Sequence, residues 1–252
     1  MKEQLYTIPL NDAVNANDEC AFCFIERKVA MDLMDYVLGN ASSYMESDIR
    51  EKTDNAGFCR RHFKDMFDYG NALGNGWILK THYMRIIKEM KENMDAVKGT
   101  PSMKKKFFKT EGASNRLTDW LKAKEGSCFV CNNFDDTFSR YLNTFFYLYK
   151  NDSEFKQKIL NGKGFCLSHF GTMYEYSLNN LNENEFKGFC DEIFPIMEQN
   201  FHRVWEDISW FVDKFDYRNK DADWKNSKDA IQRGMQKLKG GYPSDPPYKM
   251  SK

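Results

Sequence analysis

Gly57-Phe58-Cys59-Arg60-Arg61-His62-Phe63 decides the reading of this chain, because it returns as Gly164-Phe165-Cys166-Leu167-Ser168-His169-Phe170. Each copy follows a Cys-x2-Cys, Cys20-Ala21-Phe22-Cys23 before the first and Cys128-Phe129-Val130-Cys131 before the second. From Cys20, Cys23, Cys59 and His62 to Cys128, Cys131, Cys166 and His169 the offsets are 108, 108, 107 and 107 residues. The match continues past the histidines, where Met66-Phe67-Asp68-Tyr69 returns as Met173-Tyr174-Glu175-Tyr176. One unit has been copied.

The pattern inside each copy is helical. Val29, Leu33, Met34, Val37 and Leu38 follow the first cysteine pair at spacings of three and four, and Phe134, Phe138, Tyr141, Leu142 and Phe145 follow the second. Each pair therefore opens an amphipathic helix, and a second helix is expected from each Gly-Phe-Cys. Longer helices are marked by Ile78, Ile86, Met90, Met94 and Val97 and by Ile193, Met197, Val204, Ile208, Phe211 and Phe215, the latter kinked or restarted at Pro195. A polar helix over 227–239 should end at Gly240-Gly241, ahead of the tail prolines Pro243, Pro246 and Pro247. With no alternating strand pattern, the expected fold is all-α: a tandem duplication of a metal-clipped helical hairpin packed into one helical assembly. Its expected parts are a first repeat over 1–97, a connector over 98–119 that includes the solvated run Lys104-Lys105-Lys106, a second repeat over 120–217, and a helix with irregular tail over 218–252.

Residues three apart on a helix share a face, so Cys20 with Cys23 and Cys59 with His62 can each present two donors side by side. Two such pairs facing one another complete a tetrahedron. We therefore expect one closed Cys3His site in each copy, Cys20, Cys23, Cys59 and His62 in the first and Cys128, Cys131, Cys166 and His169 in the second. The intervening 35 and 34 residues would form a hairpin that the metal clips shut. Helix N-termini aimed at the sulfurs favour the thiolate that metals bind. Zinc, two ions per chain, suits three thiolates and an imidazole with no vacant position. Iron–sulfur clusters and dithiol redox chemistry are the alternatives.

Other candidates carry less. His82 and His202 have no counterparts at the repeat offset and read as core or surface histidines. The seventh cysteine, Cys190, falls outside both sets. Glu26, Asp32, Asp35, Asp135 and Asp136 read as solvated helix faces, the aromatic stripe from Phe134 to Tyr149 as core, and Gly70, Gly74 and Gly76 as a helix break rather than a phosphate loop, whose strand and Lys are missing.

The 252 residues suffice for a sizeable core, and 21 Phe with 13 Tyr argue for a globular chain. Lys plus Arg and Asp plus Glu are both 37, so no global charge draws the chain to nucleic acid or to an anionic membrane. Without an export signal or a membrane-length apolar run, the cytoplasm is expected, where cysteines serve as thiols and metal ligands rather than disulfides.

The paired Cys-x2-Cys and Gly-Phe-Cys-x2-His motifs, together with Lys214-Phe215-Asp216-Tyr217-Arg218, resemble a bacterial family of uncharacterised proteins, a domain of unknown function, over most of the chain. The resemblance implies a bacterial cytosolic protein and carries over no catalytic residue. From closed ligand sets without another convergent polar group, the expected function is non-enzymatic: a zinc-stabilised helical scaffold that binds a protein or small molecule. A redox or electron-transfer protein is one alternative. A metalloenzyme with one exchangeable ligand position, and His82 or His202 as acid or base, is the other.

Overall fold

The computed structural model describes residues 4–39, 43–98 and 115–241. The lysine run of the expected connector and the tail prolines lie outside these residues. The described residues contain no strand, and eleven α-helices account for most of them. In chain order these are α1 (Gln4–Asn15), α2 (Ala21–Leu38), α3 (Ser47–Ala56), α4 (Arg60–Tyr69), α5 (Ala72–Val97), α6 (Arg116–Gly126), α7 (Phe129–Asn151), α8 (Ser153–Leu160), α9 (Leu167–Asn180), α10 (Glu183–Asp213) and α11 (Ala230–Lys239).

Local chemistry sets the helix ends. Asn115 and Asn182 form capping boxes with Thr118 and Glu185, and Asp152 accepts the Phe155 N–H at 3.0 Å. Gly70, at φ 87°, ends α4 in the left-handed conformation that glycine adopts without a Cβ penalty. Gly74 and Gly76 lie inside α5 rather than in a break. α10 runs through Pro195 as one helix, so the proline does not begin a new one. α11 starts at Ala230, three residues later than expected, and its C-cap is Gly240.

The chain divides into two compact units that are not consecutive in sequence. One comprises Met1–Val29 and Asp136–Pro246, and the main part of the other is Ala30–Asp135. This partition differs from the sequential repeats of 1–97 and 120–217, because its boundaries fall inside α2 and α7. Each of these helices contributes to both cores. The first unit buries Phe22 and Ile25 of α2 and Phe145 of α7 with Phe155, Phe165 and Phe189. Phe22 and Phe165 flank Phe145 at 5.3 and 6.0 Å between ring centroids. Burial of each such ring is worth roughly 2–3 kcal/mol. The second unit packs Met34, Val37 and Leu38 of α2 against Phe58, Met66, Tyr69, Ile78 and, from the start of α7, Phe129 and Val130.

Candidate metal centres

Four helix beginnings carry all eight donors. Cys20 immediately precedes α2 and Cys128 immediately precedes α7, with Cys23 and Cys131 one turn on. Cys59 and Cys166 are the N-caps of α4 and α9, both in extended backbone, with His62 and His169 one turn on. Ahead of both N-caps, Gly57 and Gly164 hold positive φ of 63° and 70°. Each residue pair is therefore a half-site made by a loop and a first helical turn.

The half-sites assemble across the repeats. Cys20 and Cys23 meet Cys166 and His169, and Cys59 and His62 meet Cys128 and Cys131. This corrects the expected pairing of Cys20 and Cys23 with Cys59 and His62, and of Cys128 and Cys131 with Cys166 and His169. No hairpin is clipped onto itself: the first set closes between the two segments of one unit, and the second lies wholly within the other. The reason is that α2 and α7 begin in different units. Cys20 and Cys23 fold with the late half of the chain, while Cys128 and Cys131 fold with the early half.

In the first centre Nδ1 of His169 lies 3.4 Å from Cys20 Sγ, 3.5 Å from Cys23 Sγ and 3.2 Å from Cys166 Sγ, with Cys23 and Cys166 sulfurs 3.8 Å apart. In the second, Nδ1 of His62 is 3.3 Å from Cys59 Sγ, 3.3 Å from Cys128 Sγ and 3.4 Å from Cys131 Sγ, and the Cys59 and Cys131 sulfurs are 3.9 Å apart. A tetrahedral ion with metal–sulfur bonds of about 2.3 Å and a metal–nitrogen bond of about 2.0 Å has edges of about 3.8 Å between sulfurs and about 3.5 Å from sulfur to nitrogen. Both sets match those edges, and all seven cysteines are free thiols. Each set can hold one ion with four protein donors.

Surroundings distinguish the centres. Cys20, Cys23 and Cys166 are each 0% exposed. Phe138 stacks on the His169 ring at 5.5 Å, and Glu26, expected on a solvated face, lies 3.8 Å from His169 Nε2. The polar helix α11 buries Arg233, Gln236 and Lys237 against this unit. Lys237 Nζ donates to the Glu19 carbonyl at 2.6 Å and to the Lys163 carbonyl, and buried Glu19 also takes a 2.6 Å bond from Arg203. The repeat offset maps Glu19 to Ser127 and Lys163 to Ala56. In the second centre Ser127 Oγ donates directly to the Ala56 carbonyl at 2.6 Å. A hydroxyl thus makes there the closure that an inserted lysine makes in the first. Nothing in the repeat itself marked Glu19, Lys237 or Gln236, because their partners lie up to 218 residues away. The only available hint was an apolar-poor helix without a repeat counterpart.

Proton affinities follow these settings. Hydrogen bonds from Cys20 and Cys23 push the Cys166 thiol down, whereas bonds to Cys166 and Cys20 push Cys23 up. Burial alone would lower His169, but Cys166 and Cys20 raise it to about 10. Burial lowers His62 instead, and it raises Cys131 to about 12 with help from Cys128. Burial opposes ionisation of Cys59, yet the backbone N–H groups of His62 and Arg61 with Cys128 and Cys131 bring it below its ordinary value. Burial depresses Lys237 against the pull of Glu19 and Cys20.

The remaining candidates lie outside both centres. His82 packs on Gly57, where an added Cβ would lie 2.9 Å from its ring, and its Nδ1 is 3.0 Å from the Asp54 carbonyl. His202 is exposed beside Glu206 at 3.6 Å, on a cleft of roughly 1060 Å³ lined by Lys163, Arg203 and Arg233. Cys190 is half-buried in α10, outside both centres. Asp35 is exposed as expected and accepts the Tyr69 hydroxyl at 2.8 Å. The stripe in α7 is core as expected, with Phe138, Tyr141, Leu142, Phe145, Phe146 and Tyr149 buried.

The fold and these centres define an all-α protein with two sets of three cysteines and one histidine, each able to hold a metal ion. The chain belongs to a family of unknown function, DUF6062, whose model matches residues 1–245. No curated protein and no solved structure matches it. Among the described residues no helix is long and apolar enough to cross a membrane.

Proposed function

We propose that the protein is a cytoplasmic zinc protein whose two Cys3His centres are structural and whose helical surface binds a partner. The observation that carries this reading is the closed count: each centre gathers four protein donors at the edge lengths of a single tetrahedral ion, leaving no coordination position for substrate. A multi-iron cluster spreads its ligands over several metal atoms, whereas every donor atom in each set lies within 4.8 Å of the others. Three thiolates per ion also favour zinc over harder divalent cations and require a reducing compartment.

A role in partner binding is supported by apolar surface left in solvent. Tyr83, Met84 and Ile87 of α5 are 62%, 65% and 57% exposed. Scattered exposed apolar residues are ordinary, but three within two turns of one helix form a candidate contact face. The decisive measurement is elemental analysis with a visible spectrum on protein purified without oxygen. Two zinc ions per chain and a colourless solution are expected. Iron with visible absorption would replace the zinc reading by an electron-transfer one, and no metal at all would remove both.

A further inference from the structure

The two centres hold the same donors but differ in access to them. In the first, the three cysteines are 0% exposed, and Gly240 at the end of α11 packs beside two of them, Cys23 and Cys166. A Cβ at Gly240 would lie 3.4 Å from Cys166 Sγ and 3.6 Å from Cys23 Sγ. In the second, Cys128 is 3% exposed, whereas Cys59 and Cys131 are only partly buried. These two more accessible cysteines are also neighbours, with sulfurs 3.9 Å apart.

Oxidation of cysteine needs a thiolate and a path for the oxidant. Ligation keeps all six sulfurs as thiolates, so access decides between them. We infer that Cys59 and Cys131 form an oxidation site, at which a peroxide converts the pair to a disulfide and releases the second centre's metal while the first centre keeps its own. The inference rests on the metal reading above.

The chemistry balances without another reactant. One thiolate attacks a peroxide oxygen, the O–O bond breaks, the sulfur becomes a sulfenic acid and hydroxide leaves. The neighbouring thiolate attacks that sulfur, the S–S bond forms and a second hydroxide leaves. Two electrons have passed from the two sulfurs to the peroxide. Stripped of two of its four ligands, the ion departs as a divalent cation. Closing the sulfurs from 3.9 Å to about 2.05 Å is a local movement of the α4 N-cap toward the first turn of α7.

The test uses the full chain loaded with zinc and treated with hydrogen peroxide, with zinc release followed by a metal-binding dye and disulfides mapped by peptide mass spectrometry. One of two zinc ions should leave at least about tenfold faster than the other, with a disulfide between Cys59 and Cys131. Dithiothreitol followed by zinc should restore the original content. Release of both ions at one rate, a first disulfide among Cys20, Cys23 and Cys166, or retention of both ions under peroxide that oxidises glutathione in the same tube would overturn the inference and leave the zinc reading standing. A chain that binds no zinc overturns both.

Discussion

Cys20 Sγ lies 3.4 Å from His169 Nδ1, across 149 positions of the chain. The first Cys-x2-Cys is thus completed by the second Gly-Phe-Cys-x2-His, so each candidate centre joins parts of the sequence other than those the order of the motifs suggests.

Paired serine substitutions separate the two assignments. Cys20→Ser with Cys166→Ser should remove one metal ion per chain, and so should Cys59→Ser with Cys128→Ser, because each pair belongs to one centre. Cys20→Ser with Cys59→Ser should remove both. Metal content by elemental analysis reads the result directly, and the opposite pattern would mean that each copy closes on itself.

Lys237 and Ser127 close the two centres by different means, so their loss should differ in cost. Lys237→Met leaves the Glu19 and Lys163 carbonyls without their donor and buried Glu19 with one cation fewer, an expected loss of about 2–3 kcal/mol. Ser127→Ala removes the hydrogen bond to Ala56 and should cost about 1 kcal/mol. Denaturant melts of the two variants check the order, and equal losses would count against α11 as a seal on the first centre.

The glycines before the N-cap cysteines are required by geometry. Gly57→Ala and Gly164→Ala both force a side chain onto positive φ, at about 1–2 kcal/mol. The new Cβ at 57 would also meet the His82 ring at 2.9 Å, while that at 164 would meet the flexible Met197 thioether at 3.1 Å. Gly57→Ala should therefore lower the melting temperature more, and Gly57→Ala combined with His82→Ala should recover part of the difference.

Acid should weaken the second unit through Glu89. Burial alone would raise its carboxyl, but the Trp120 indole N–H, Lys124 and Arg85 outweigh burial and hold it down to about 2, against 4.5 for an unperturbed group. A depressed folded value means that the stabilisation is complete above pH 4.5 and fades as pH falls toward 2. Glu89→Gln should cost about 1–2 kcal/mol at neutral pH, and the gap between variant and parent should close near pH 2. Denaturant melts followed by circular dichroism give both unfolding curves, and a gap that persists in acid would assign the loss to packing instead.

The eight candidate donors, the helical class and the seat of each half-site at the start of a helix are legible in the local pattern of residues. These are local properties: donors three apart share the first turn, and Gly-Phe-Cys places an N-cap where a glycine can hold positive φ. Which half-sites meet depends on packing between segments far apart in the chain. Cys20 with Cys23 and Cys128 with Cys131 are chemically interchangeable, so spacing assigns them no partner. The assignment comes from distant packing. The Phe129 N–H bonds the Gly57 carbonyl at 2.8 Å beside one centre, and Lys237 joins Glu19 to the Lys163 loop beside the other. A repeat leaves its own pairing open because its copies offer the same short-range chemistry, and only the burial of what surrounds them makes the two pairings unequal.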